Sequence, residues 1–161
     1  MKRILSIQDI SCVGKCSLTV ALPIISSFGI EAAILPTATL STHTAFKGFT
    51  FRELTDLGCP RAVLTGVGFN ENELGCYGYD STTGEFFFDT NEKIEQSFHG
   101  TGDIFASVCF SCINRGKTLE KACAIAADFV CDSMRATLDD ERPIWYGVYF
   151  ERVLASGKYL I

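Results

Sequence analysis

The chain has little histidine, no cluster of Lys and Arg, and no long apolar run, and each shortage closes a class of function. Its 14 Lys and Arg are outnumbered by 19 Asp and Glu, for a net charge of -5. A nucleic-acid surface must neutralise many phosphates at once, so that class is excluded and an anionic ligand must find local donors. With His43 and His99 the only two histidines, a histidine metal site is not expected. No uninterrupted apolar stretch reaches the roughly 18 to 20 residues that cross a bilayer. Residues 1–8 carry Lys2 and Arg3 but only a short apolar run, broken by Ser6 and Gln8, and read as a buried strand and not a leader. The expectation is a soluble, cytoplasmic protein with no membrane or nucleic-acid partner. Repeats, low-complexity stretches and interdomain linkers are also missing. What is there is 161 residues, 47% of them hydrophobic, enough for one domain around one core.

Cysteine is plentiful, at eight residues. Such a count marks a disulfide scaffold in a small secreted chain, but nothing here reads as secreted, so most are expected to be reduced and buried as small hydrophobes. Cys109 and Cys112 have the CxxC spacing, yet they fall inside an apolar helical run with no second pair at zinc spacing, and no metal or redox role is assigned.

Residues 3–8 read as a strand, 17–28 as a helix stopped at Gly29, and 31–37 as a second strand. This is the βαβ unit of an α/β protein, whose ligands bind at the carboxyl ends of the strands; the loops 9–16 and 39–47 lie there. Thr50 and Glu53 have capping-box spacing and predict a short helix over 51–58. Residues 61–65 read as a buried strand, and 74–89 as a β-hairpin around the turn Ser81-Thr-Thr-Gly84. A helix from Asp103 to Asn114 stops at Gly116, Thr118 caps another running to about Arg135, and a short helix spans 149–155.

The segment His99-Gly-Thr-Gly-Asp-Ile-Phe-Ala106 sets two glycines and a threonine before a helix that opens with an aspartate. Glycines let successive N–H groups point at one spot, and the positive end of the helix reinforces that anion site. A transferring phosphoryl group fits it, and Asp103 can accept the proton of an attacking hydroxyl. The bland alternative is an ordinary loop with Asp103 as a terminal cap, which describes most such strings. The preceding β segment, the apolar helix and the βαβ first half favour the chemical reading.

Gly100-Thr-Gly-Asp103, followed by Ile104-Phe-Ala-Ser107, resembles the signature of the ribokinase-like (PfkB-like) superfamily. Ile4-Leu-Ser-Ile-Gln-Asp9 and Leu40-Ser-Thr-His-Thr44 narrow the resemblance to pyridoxal and pyridoxamine kinases, with Val63-Leu-Thr-Gly66 and Trp145-Tyr-Gly147 as further matches. The resemblance implies a three-layer α/β/α sandwich with a mostly parallel sheet, and ATP- and Mg2+-dependent phosphorylation of the 5'-hydroxymethyl group of a B6 vitamer. In that reading Asp103 is the base and Gly100, Thr101 and Gly102 form the anion hole. Asp9, His43 and Thr44 face the pyridine, and Thr65 and Gly66 lie beside the nucleotide. Many family members carry Ser at the position of Asp9, and His43 can equally be a packed loop residue. Two alternatives stay open: a hydroxymethylpyrimidine kinase, and a non-catalytic remnant that binds ligand without turnover.

The resemblance also implies a loss. Residues 1–56 resemble the amino-terminal part of the family and 57–161 the carboxy-terminal part, whereas whole members run to roughly 250 to 300 residues. The part between them supplies central strands, covering helices and an Asn-x-x-Glu motif that organises magnesium. Asn70-Glu-Asn-Glu73 copies that spacing, but it precedes the hairpin and reads as a solvated charge run. A single domain with fewer strands is expected, either retaining its core or covering an open edge as a homodimer.

Overall fold

The computed structural model describes residues 3–11, 15, 17–40, 60–140 and 147–160. Along them run β1 (Arg3–Ser11), α1 (Leu18–Ser27), β2 (Glu31–Leu40), β3 (Arg61–Asn70), β4 (Glu73–Asp80), β5 (Glu85–Glu92), α2 (Thr101–Asn114), α3 (Leu119–Leu138) and α4 (Phe150–Ala155). The helix expected over 51–58 lies outside the described residues.

β1 and β2 pair in parallel, from Arg3 opposite Glu31 to Ser11 opposite Leu40, as a βαβ unit requires. α1 makes the crossover and buries Leu18, Val20, Ala21, Ile24 and Ile25. Pro23 removes one backbone donor from this helix, but it stands on the exposed face while its neighbours are fastened in the core. The helix ends at Gly29, whose φ of 71° only glycine adopts without strain. Gly29 N–H then reaches Ser26 O at 2.9 Å, and Ile30 N–H reaches Ile25 O at 3.4 Å.

β3, β4 and β5 form an antiparallel meander. The expected parallel character is therefore carried by β1 and β2. The other three strands are joined by turns too short for a parallel crossover: Glu71 and Asn72 between β3 and β4, and residues 81–84 between β4 and β5. β3 runs five residues past its expected end because Gly66, at φ 72°, takes up a bulge in the ladder between Thr65 and Val67. Asp80 fixes the second turn, accepting from Thr82 N–H at 2.9 Å and from Arg61 Nε at 2.9 Å. Those donors, Thr82 first, hold its carboxyl below the usual carboxylate range.

α1 covers β1 and β2, α3 covers β4 and β5, and α2 lies between α1 and α3. The Arg115 guanidinium at the end of α2 donates to Phe28 O at 2.9 Å and ties that helix to the end of α1. Among the described residues the architecture is an α/β sandwich of reduced strand number, its sheet strands flanked by helices. One core joins Ile24 and Phe28 with Ile104, Val108, Ala126, Phe129 and Phe150. Cys76, Cys109, Cys112 and Cys123 belong to it as buried free thiols, while Cys131 is half-buried. Burial pushes the Cys112 thiol up to about 11. Among the described residues, no helix is long and apolar enough to cross a membrane.

Candidate active site

α2 begins at Thr101 behind Gly100, which sits in the left-handed region at φ 85°, ψ -1°. A residue with a Cβ is strained there, and Gly100 has no side chain to cap the helix. The first turn, Thr101 to Asp103, therefore has no side-chain cap at its N-terminus, and a helix start of this kind suits an anion. A Cβ added at Gly102 would meet no atom within 4 Å, so the room beside this glycine is open.

That room belongs to a cavity of about 360 Å3. Thr65 and Gly66 at the bulge of β3 line it together with Thr101 and Gly102. Its floor comes from α3 through Ala127, Val130, Cys131 and Met134, and its rim from the segment 91–98 after β5. The volume falls within the range of small-molecule sites. Gly66, like Gly102, leaves the place of a Cβ open. Two glycines thus open on a mostly apolar slot. Among the described residues, no group of three His, Cys, Asp or Glu could hold a metal ion. Mg2+ needs no such cage, because it binds through one or two carboxylates and the phosphates of its nucleotide.

Asp103 is not part of the cavity lining. It is the third residue of α2 and turns toward the start of α1, where its Oδ2 accepts the backbone N–H of Ser17 at 2.8 Å. Ser17 is the single non-glycine residue with positive φ among the described residues, at φ 53°, ψ -135°. The cavity and the carboxylate thus lie on two sides of one turn. Lys15, two residues earlier, bonds Glu151 Oε2 at 2.7 Å.

Asp9 lies where the β1–β2 register breaks, between the pairs Gln8 with Pro36 and Ile10 with Thr39. Its side chain, and all of His43 and Thr44, lie outside the described residues. Asn70 and Glu73 meet across the β3–β4 turn at 2.6 Å on the exposed surface, as a solvated pair should. Ser17, Lys15 and the α3 floor escaped the sequence reading. The loop over 9–16 was the nearest signal for the first two.

The sequence profile of the phosphomethylpyrimidine kinases matches residues 19–144, most of the chain. The chain belongs to the phosphomethylpyrimidine kinase family. Among solved structures, a Bacteroides thetaiotaomicron protein provisionally assigned as a phosphomethylpyrimidine kinase, in a form with pyridoxal, matches at 19% identity and a TM-score of 0.80. The match covers 96% of this chain and 95% of that one. Pyridoxal kinase from Lactobacillus plantarum matches at 17% identity and a TM-score of 0.78, covering 97% and 96%. Pyridoxal kinase from Leishmania donovani, in complex with ADP and pyridoxamine, matches at 12% and 0.77, covering 96% and 95%. No curated protein sequence matches the chain. The chain therefore shares the ribokinase-like fold of these structures, and its family membership implies a small-molecule kinase that uses ATP and Mg2+.

Proposed function

We propose that the chain transfers the γ-phosphoryl group of ATP to a hydroxymethyl group on a small nitrogen heterocycle, with a hydroxymethylpyrimidine as the first acceptor class. The order reverses the one the sequence motifs favour, because the profile that matches residues 19–144 is that of phosphomethylpyrimidine kinases. A B6 vitamer is the second reading, supported by the pyridoxal in the related Bacteroides structure and by the motifs around Asp9 and Thr44.

One observation carries the chemistry: Asp103, anchored at 2.8 Å by Ser17 N–H, directly follows the glycine turn whose Gly102 opens on the cavity. A base and an anion-binding set of amides come from a single turn. In this reading Asp103 accepts the proton of the acceptor hydroxymethyl as it attacks, on the side of the turn that faces α1. The amides of residues 100–102 stabilise the charge on the group in transfer, and Thr65 and Gly66 flank the nucleotide. Asp9, His43 and Thr44 hold the ring of the acceptor. ATP supplies the phosphoryl group and Mg2+ neutralises its charge. Phosphoryl transfer depends chiefly on such positioning, so one carboxylate suffices as base.

Asp103→Asn keeps the size of the side chain and removes the base. Turnover should fall by about a hundredfold to ten-thousandfold, with ATP binding retained. Assays with ATP and either hydroxymethylpyrimidine or pyridoxal rank the two acceptors. Unchanged turnover in the variant would refute the role of Asp103, and acceptor binding without phosphate transfer by the parent chain would establish a non-catalytic remnant.

A further inference from the structure

Lys15 is an ammonium group in an unusual setting. Its side chain is only 16% exposed, it pairs with Glu151 at 2.7 Å, and its Nζ lies 4.5 Å from the ring centre of Tyr149 and 5.4 Å from that of Phe150. A charge so placed needs both its carboxylate and its ring faces to offset lost hydration. The platform under it is rigid. Val148 and Phe150 are buried in the core, and Tyr149 N–H donates to Thr137 Oγ1 at 2.8 Å, near the end of α3. Gly147 lets the platform come close: at φ 108°, a Cβ there would stand 2.9 Å from Lys15 Cβ and 3.3 Å from its backbone N and O.

Two residues beyond Lys15 stands Ser17, whose positive φ is sparsely populated for a residue with a Cβ and persists only where its surroundings hold it. That conformation aims Ser17 N–H at Asp103 Oδ2. We propose that Lys15, clasped by the segment Gly147 to Glu151, is a positioning residue that holds the Ser17 backbone in place and through it the carboxylate of Asp103. The α2 turn fixes where Asp103 begins, and the clasp fixes where its carboxylate ends. The kinetic part of this inference rests on the reading of Asp103 as the base; the structural part does not.

The test separates the two. In the intact chain, Lys15→Met keeps the length of the side chain and removes its charge, and Glu151→Gln keeps Lys15 but removes its partner. Hydrogen exchange at Ser17 N–H reads the contact with Asp103 directly, with Asp103→Ala, which removes the accepting oxygen, as the reference for its loss. Lys15→Met should speed that exchange about tenfold or more and lower kcat by a similar factor while KM for ATP stays within about twofold, because small displacements of a reacting group act on the chemical step. Glu151→Gln should move both readouts in the same direction. If Lys15→Met does not fold, Glu151→Gln decides alone. A folded variant with the exchange of Ser17 unchanged overturns the clasp, whatever its activity. Faster exchange with kcat unchanged overturns the positioning role, and if Asp103→Asn also retains turnover, the fault lies in the reading of the base.

Discussion

The two strand groups of the fold are covered alike and specified differently. The β1–β2 pair and the β3–β5 meander each pack against helices, and each keeps large apolar side chains exposed: Leu5 and Ile34 in the first, Phe86 and Phe88 in the second. The meander is closed by turns of two and four residues and by rings that meet across its strands, Phe86 stacked on Tyr77 at 5.8 Å and tilted against Tyr79 at 4.5 Å. The parallel pair has no such local closure. Its partners are about 28 residues apart in sequence and meet only because α1 packs back over them. Local turns can therefore build one half of the candidate site, the Thr65–Gly66 bulge, while the half around Ser17 depends on helix packing.

Phe129→Ala tests whether that difference survives in the assembled fold. Phe129 is fully buried in α3 and meets the Tyr159 ring edge-on at 5.3 Å. Truncating it should cost about 3–5 kcal/mol, read as a shift of the denaturant midpoint. Because α2 joins α3 to α1, amides in β2 should lose exchange protection together with those in β5. Loss confined to β5 would show two independent halves and break the single-domain expectation.

Gly75→Ala is smaller in scale and sharper in place. A Cβ there would stand 1.9 Å from Asp89 O and 2.9 Å from Thr90 Cα, both backbone atoms of β5 that have no rotamer to change. The ladder must part, at about 1–3 kcal/mol, and since Gly75 lines the cavity KM for ATP should rise as well. A neutral result in thermal unfolding and KM would show that β4 and β5 are less tightly joined than the meander implies.

The same contrast explains what was legible in the sequence. Hairpin, caps and helix ends were readable because their causes are local: residues 81–84 turn the chain, and Gly116 at φ 93° ends α2's turn. Thr118 caps α3 through Lys121 N–H at 3.3 Å. The glycine turn at 100–102 was readable for the same reason. The true length of β3 was not, since Gly66 and Gly68 look like strand breakers until the bulge is seen. Nor were the partners of the candidate base: Ser17 is 86 positions from Asp103, and Lys15 is 136 from Glu151. No period or spacing records such pairs; only the packing of α1, α2 and α4 brings them together.

The smallest expected effect concerns charge on the face between the meander and α3. Burial raises the Asp89 carboxyl above its usual value, and the nearby Asp128 and Glu120 on α3 raise it further. A carboxyl raised in the folded state binds its proton more tightly there than in the unfolded chain. Its stabilising contribution is full below the unfolded value near 3.8 and is lost as pH rises through the folded value. At neutral pH the ionised Asp89 therefore opposes folding. Asp89→Asn imitates the protonated form, and should stabilise the chain at pH 7 by less than about 1 kcal/mol after solvent screening. Unfolding midpoints of the two proteins should converge as pH falls toward 4. If Asp89→Asn is instead less stable at pH 7, the carboxylate makes a favourable contact across the β5–α3 face, and the charge there supports the meander that it is here read as opposing.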